Sequence, residues 1–468
     1  MMAFHESATS DTDRASAGEL ARLIRNREIS PVEVVSRSLE RLDAVEPAIN
    51  AFVTTTPELA LDAARKAEAR VMRGDLLHPL TGIPISIKDN IAMEGVRLTF
   101  GSQTARDQIA AFNAPVVERL IAAGACIVGK TTMTEFGSKA SSDSPLTGIT
   151  RNPWDTSKSA GGSSSGSAAS VAAGVTPLSI GTDGAGSLRI PAAFCGVVGL
   201  KPQFGRVPVY PPATAPSLLH IGPIARNVRD ATMLLSAISG YDDRDHASLA
   251  SQLTEHDIKE ISGWRIAWSP TLGFGKPDET VLGMVRAAVR VFEQAGCVVE
   301  EVDEIIEDPH AVHAAEFFAG AAFRLKDVIL NDRELLDPEV AACLEHSSRL
   351  TVKDLFDAQA ARHEIRRRFR ELFGRYRLLL TPTVPVAAFD ADRTSPPGWT
   401  GPLALSWPTY TLVHNLTGLP ALSIPCGRTP EGLPIGLQIV GRPNAESDIL
   451  DAATVFEELG PWTGSRSG

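Results

Sequence analysis

Up to residue 75 the apolar positions recur at spacings of three and four, the period of an amphipathic helix. Leu20, Leu23 and Ile24 follow Ser16-Ala17-Gly18-Glu19, a capping-box pattern. Val34, Val35, Leu39 and Leu42 follow Ser30-Pro31, a cap with proline at the first helical position and Glu33 three after the cap. This helix is expected to end before Pro47. A third, Ala-rich helix follows Pro57 and stops near Gly74. From Thr81 the texture changes. Ile83-Pro84-Ile85-Ser86-Ile87 reads as a short buried strand ending in Lys88 and Asp89, and a helix over 115–123 leads through Gly124 to a strand over 126–128. Strand, helix and strand in alternation predict an α/β fold.

The pattern continues downstream. Residues 168–173 have a small-residue helix pattern and 175–180 a strand pattern. Strands over 264–268 and 297–302 enclose an amphipathic helix over 279–295, and residues 305–375 read mainly as helix. Leu378-Leu379-Leu380 opens a strand that ends in Thr381-Pro382-Thr383, and further strands are expected over 421–425 and 436–440. No internal repeat is visible. A rule of ~150 residues per domain would give about three domains, but one wide sheet can absorb a chain of this length. The expected organisation is an N-terminal helical region over 1–75, packed on an α/β domain over 76–468, effectively a single domain.

Composition narrows the function classes. The 468 residues are 43% hydrophobic, ample for a large core, and carry a net charge of −11. That balance argues against a dedicated nucleic-acid binder. The basic run from His363 to Arg370 reads as a solvated helix face. Five cysteines, far apart and never in a C-x-x-C pair, suggest neither a disulfide framework nor a zinc site and suit a reducing compartment. Residues 1–14 are polar without an apolar core, and no run of ~18 apolar residues is present. A cytoplasmic protein is therefore expected. His310, His313 and Glu316 have helical spacing but no metal-binding signature, and a helix surface is the expected setting.

Two Gly/Ser-rich stretches change the picture further. Ser159 to Ser167 has the composition of a flexible linker, but it runs into ordered core patterns on both sides. Gly181-Thr182-Asp183-Gly184-Ala185-Gly186-Ser187 follows the next strand. Its small residues let a carbonyl approach, and successive backbone N–H groups in such a turn can converge on an anion. Amide cleavage needs a nucleophile, a base that becomes an acid, and donors for the oxyanion. A serine hydroxyl needs a base, and lysine serves only when neutral; burial after Ile83, Ile85 and Ile87 is the means by which Lys88 would lose its proton. Neither loop has the spacing of a phosphate-binding Walker motif. Gly162-Ser163-Ser164-Ser165-Gly166 satisfies G-x-S-x-G. That pattern would make Ser164 the nucleophile with His363 or His414 as partner, but neither histidine has a supporting context.

Taken together, these motifs resemble the amidase signature family. The similarity runs through Gly82-Ile83-Pro84, Ile87-Lys88-Asp89, Gly129-Lys130-Thr131, Glu135-Phe136-Gly137, Gly161-Gly162-Ser163-Ser164, Gly181-Thr182-Asp183, Gly186-Ser187, 189–196 and Gly199-Leu200-Lys201-Pro202. Thr381-Pro382-Thr383 and Gly418-Leu419-Pro420-Ala421 extend it, so it covers most of residues 16–455. The resemblance implies a mixed, twisted sheet of about eleven strands flanked by helices. It implies an amidohydrolase with Ser187 as nucleophile, Ser163 as a bridging serine after a cis peptide, and Lys88 as base and later acid. The N–H groups of Gly184, Ala185, Gly186 and Ser187 would form the oxyanion hole, with Ser164, Asp183 and Arg189 supporting the turn. Ala185 departs from the glycine more usual at its place. Met133, Phe136, Trp407 and Tyr410 are candidates for the substrate pocket. The implied partner is a small-molecule amide, with no cofactor, metal, nucleic acid or membrane, and with a homodimer admissible. The family also contains glutaminase subunits of tRNA-dependent amidotransferases, the alternative reading.

Overall fold

Each N-terminal helix begins where its cap stands. In the computed structural model, which describes residues 14–251, 253, 258–399, 407–460 and 462, helix Ala17–Arg25 starts with Ser16 Oγ accepting the Glu19 N–H at 3.0 Å. Helix Pro31–Ile49 starts with Ser30 Oγ accepting the Val32 N–H. The expectation that this helix stops before Pro47 is overturned: it runs through the proline. Proline lacks the N–H that would bond back one turn, but so near the end only one bond is lost. Asn50, in the left-handed conformation, donates its N–H to Glu46 O at 2.9 Å, and the Glu46 carboxylate accepts from Ala51 and Phe52 N–H. The chain is thereby aimed into strand Phe52–Thr55, which the helical reading of this region missed, before helix Pro57–Arg73 ends on Gly74. The polar stretch read as lacking a signal core lies, up to residue 13, outside the described residues.

A mixed sheet of eleven strands crosses the molecule. Its order is Phe52–Thr55, Cys126–Thr131, Pro84–Lys88, Leu178–Asp183, His220–Ala225, Val198–Lys201, Ala421–Arg428, Pro434–Gly441, Leu378–Pro382, Arg265–Trp268 and Val298–Glu301. Pro84–Lys88 runs parallel to both its neighbours, Arg265–Trp268 runs parallel to both of its own, and the remaining pairs are antiparallel. The central strands are buried along their whole length, so they read as apolar runs and not as alternation. Strands Val198–Lys201 and His220–Ala225, and helices Arg189–Cys195 and Val228–Ile238, were not anticipated. Residues 305–375 are mainly helical as expected, with helices His310–Arg324, Lys326–Asn331, Pro338–Ser347 and Val352–Phe373. On the last, Arg367 and Arg368 pair with Glu364, and Arg367 also with Glu371, the solvated face expected of the basic run.

This topology positions the chemistry. Ile87 pairs in parallel with Ile180, so Lys88 and Asp183 end adjacent strands that point the same way. Crevices at the carboxyl ends of parallel strands are where α/β sheets bind ligands. Among the described residues no helix is long and apolar enough to cross a membrane.

The N-terminal helix is tied to the core by one carboxylate. Buried Asp230 accepts the Ala17 and Gly18 N–H groups at 2.8 and 3.0 Å. Asp230→Ala leaves these donors without that acceptor, and a buried unsatisfied donor costs about 1–3 kcal/mol. A destabilisation of that size is expected in urea unfolding; an unchanged midpoint would show that the tether contributes nothing.

Candidate active site

Lys88 has no exposed surface. Its Nζ lies 2.8 Å from Ser163 Oγ and 2.9 Å from Thr182 Oγ1, with Thr182 O at 3.4 Å. Asn90 Nδ2 also donates to Thr182 Oγ1, at 3.1 Å. Burial pulls the lysine down from the usual 10.5 to about 7, against an opposing pull from the Asp183 carboxylate.

Ser163 is held by its neighbours. The Gly162–Ser163 peptide bond is cis. A Cβ on Gly162 would meet Ser141 O at 1.9 Å, so no other residue fits there. The Gly162 N–H donates to Ala140 O, the Ser164 N–H donates to Ser187 O at 3.3 Å, and Ser164 Oγ donates to Thr182 O at 3.0 Å. Ser164 therefore sews the Ser163 loop to both the strand end and the second turn. It has no exposed surface, which makes it a poor nucleophile for the G-x-S-x-G reading. His363 is exposed on its helix and His414 is buried against Phe369.

The turn 183–187 is organised by Asp183. Burial alone would raise its carboxyl, but Arg189, with its charge and two hydrogen bonds, and the Lys201 charge hold it well below the carboxylate range. The carboxylate accepts from Gly186 N–H at 2.7 Å and Leu188 N–H at 3.1 Å. The Gly186 N–H is thus committed to Asp183 and is not available for the oxyanion role expected of it. The N–H groups of Gly184, Ala185 and Ser187 are given to no other group among the described residues. Gly186 itself has φ 132°, and a Cβ there would meet Thr411 Oγ1 at 2.2 Å. Thr411, Asn415 and Gln438, none singled out from sequence, complete the network: Arg189 donates to Thr411 O, Gln438 Oε1 and Asn415 Oδ1.

Ser163 and Ser187, 2% and 6% exposed, both line a cavity of about 270 Å³, while Lys88 sits behind Ser163. Met133 and Phe136 line it, with Phe100, Phe317 and the segment from Val209 to Ala215. Phe100 and Phe136 stack at 6.4 Å, and both adopt left-handed φ, 54° and 49°. Such backbone costs about 1–3 kcal/mol per residue and clusters at binding sites. Trp407 and Tyr410 are not in the cavity wall. Trp407 packs between Phe194 and Phe389, and Tyr410 Oη donates to Pro270 O at 2.7 Å. Large apolar residues in this segment serve the core. His310, His313 and Glu316 do not converge: they meet Asp308, Gly184 O and Arg362 respectively. The expected helix surface is also wrong, since His310 and His313 are buried.

The Amidase family model matches residues 33–450. This chain belongs to the amidase signature family. It is 38% identical to a subunit of the glutamyl-tRNA(Gln) amidotransferase of Moorella thermoacetica, over 95% of this chain and 96% of that one. It is 35% identical to an acylamidase of Rhodococcus erythropolis, over 96% of each. The crystal structure of a bacterial aryl acylamidase of the family superposes with a TM-score of 0.90 at 28% identity, covering 97% of this chain and 98% of that one. Fold and family agree with the sequence reading, and the protein is a hydrolase acting on amide C–N bonds.

A buried amine costs stability whether or not it serves chemistry. Below about pH 7 the folded chain must bury the charge, while the unfolded chain holds it in water until 10.5. The folded state binds fewer protons across that window, so this contribution to stability rises with pH. Lys88→Met is expected to stabilise the chain in urea unfolding at pH 6, by a few kcal/mol at most, and the gain should shrink as the pH approaches 10. A pH-independent difference would mean that the lysine is not titrating low.

Proposed function

We propose that the protein hydrolyses a linear carboxylic amide bearing an apolar acyl or aryl group, releasing the acid and ammonia or an amine through an acyl-enzyme on Ser187. The observation that carries this is the unexposed Lys88 amine 2.8 Å from Ser163 Oγ, behind a cavity on which Ser163 and Ser187 both open. A neutral amine has two N–H groups and one lone pair. Thr182 Oγ1 and O can take the two hydrogens, which leaves the lone pair for the Ser163 hydroxyl. In the proposed reaction Ser187 Oγ attacks the amide carbon while its proton passes to Ser163, whose own proton passes to Lys88. The carbonyl oxygen gains the negative charge and meets the N–H groups of Ala185 and Ser187, with Gly184 N–H beside them. The C–N bond then breaks as the relay returns a proton to nitrogen. Water attacks the Ser187 ester by the same route and restores the serine. Ser164, Asp183 and Arg189 hold the turn in shape.

The cavity supports an apolar substrate. Among the described residues Arg324 is its one charged lining residue, and its Nη1 donates to Pro212 O at 2.8 Å; no acidic side chain lines it. Free glutamine carries an α-ammonium and an α-carboxylate, and burying an unpaired charge is costly. The glutaminase reading rests on the 38% identity to the amidotransferase chain, and the described cavity lining offers no carboxylate to the ammonium of glutamine. Ammonia release from glutamine that appears only with co-purifying subunits would establish it. The free thiols of all five cysteines support a cytoplasmic setting; a homodimer stays part of the proposal.

Ser187→Ala and Lys88→Ala are each expected to lower kcat on an aryl or acyl amide at least ~10³-fold, and Ser163→Ala severely, with folding retained in circular dichroism. Wild-type turnover in any of them removes that residue from the mechanism. The rate should climb through about pH 7 as Lys88 loses its proton; a flat profile from pH 5 to 9 excludes lysine as base. In a panel of purified-enzyme assays, apolar amides should exceed glutamine by at least ~100-fold in kcat/KM, and Phe136→Asp should abolish that preference. Equal or better turnover of glutamine by the chain alone would reverse the choice.

A further inference from the structure

Helix His310–Arg324 meets the turn 183–187 at two points. Buried His313 has its Nε2 3.0 Å from Gly184 O. A carbonyl only accepts, so Nε2 carries the hydrogen. Phe317, one helical turn on, stacks on the His313 ring at 5.4 Å and lies where a Cβ on Gly184 would fall, 2.8 Å from its ring edge. His313 Nδ1 has no partner among the described residues, and burial lowers the ring to about 4, so the imidazole is neutral at ordinary pH.

The geometry of a trans peptide gives this contact a consequence. C=O and the following N–H point in opposite directions in one rigid plane. Fixing Gly184 O on His313 therefore aims the Ala185 N–H away from that helix. The same holds along the turn. Asn415 Nδ2 donates to Asp183 O at 2.9 Å, which sets the Gly184 N–H, and Ile190 N–H donates to Gly186 O at 2.7 Å, which sets the Ser187 N–H. Thr411 Oγ1 donates to Ala185 O, and the Gly186 N–H of this plane is taken by Asp183. Each peptide plane has its own external anchor, and His313 is the anchor of the plane whose N–H is Ala185's.

The geometry points to His313 as a positioning residue for amide hydrolysis, acting through Gly184 O to hold the Ala185 N–H toward the carbonyl oxygen of the substrate. This rests on the proposed reading of the turn as the oxyanion site. The same helix brings Phe317 and Arg324 to the cavity wall, so the element that shapes the proposed substrate site also sets one of its donors.

The test compares His313→Phe, which fills the space without a donor, with His313→Gln, whose amide N–H reaches about as far from Cβ as Nε2. Purified full-length chains are labelled with a fluorophosphonate, and adduct formation at Ser187 is followed by intact mass against probe concentration. His313→Phe should lower the limiting rate roughly 10- to 100-fold, less than or comparable to loss of a direct oxyanion donor, with half-saturation within about two-fold. His313→Gln should recover most of the rate. A wild-type limiting rate in His313→Phe, equal loss in both variants, or a change confined to half-saturation overturns the inference while the Ser187 reading stands. Failure of the wild-type chain to label at Ser187, or labelling that persists in Ser187→Ala, overturns the underlying reading and the inference with it.

Discussion

A lysine amine in the interior, with hydroxyls as its closest partners and no carboxylate at bonding distance among the described residues, sets the terms for everything around it. Of the four buried lysines among those residues, Lys88, Lys130 and Lys139 show what decides their charge. Lys139 sits between Asp143 and Asp337 at 2.5 and 2.6 Å; burial works against its charge, but the two carboxylates overcome it and raise the ammonium. Lys130 has Asp89 at 3.7 Å and is lowered to about 8. Lys88 meets Ser163 and Thr182 and falls to about 7. Burial is common to all three, and the distance to a carboxylate separates them. Had Asp183 faced Lys88 directly, the amine would stay protonated near neutrality and could take no proton from a serine.

Arg189 is what keeps Asp183 from doing so. Its guanidinium occupies both carboxylate oxygens, and the remaining capacity goes to Gly186 N–H, Leu188 N–H and Asn415. A buried pair of this kind adds little net stability once both ions have been desolvated. Its value is geometric: one carboxylate, fixed by a fork of donors, folds the turn around itself. The negative charge stays close enough to raise Lys88 slightly but is spent on the turn. The lowered lysine and the shape of the turn 183–187 are therefore two consequences of where one carboxylate points.

The strand ends, the two Gly/Ser-rich loops and the helix starts were legible in the sequence, because they depend on local composition: an apolar run ending in lysine, small residues where backbone must approach backbone, proline and serine where helices start. What it hid depends on distant contacts. Strand Phe52–Thr55 is four residues long and takes its identity from pairing with Cys126–Thr131. Asn415 and Thr411 reach the turn from more than 220 positions away in the chain. Trp407 and Tyr410 invite a pocket reading because aromatic residues suit either a pocket or a core, and only the packing of Phe194 and Phe389 decides. For His313 a signal existed. His310, His313, Ala314, Phe317, Phe318 and Ala321 fall on one helical face, and histidine on an otherwise apolar stripe is a buried group in need of a partner.

The apolar cavity and the low lysine belong to one design. Water reaching Nζ would solvate the ammonium and restore its ordinary basicity, and Ser163 stands between the amine and the cavity. An apolar acyl or aryl group filling the space against Phe100, Phe136 and Phe317 would expel what water remains, strengthening the pull of the inward N–H groups on a developing oxyanion. A zwitterion would bring its own charges and hydration into the same space. The apolar cavity wall and the lowered lysine both depend on the exclusion of water, so a substitution that wets the wall acts on both.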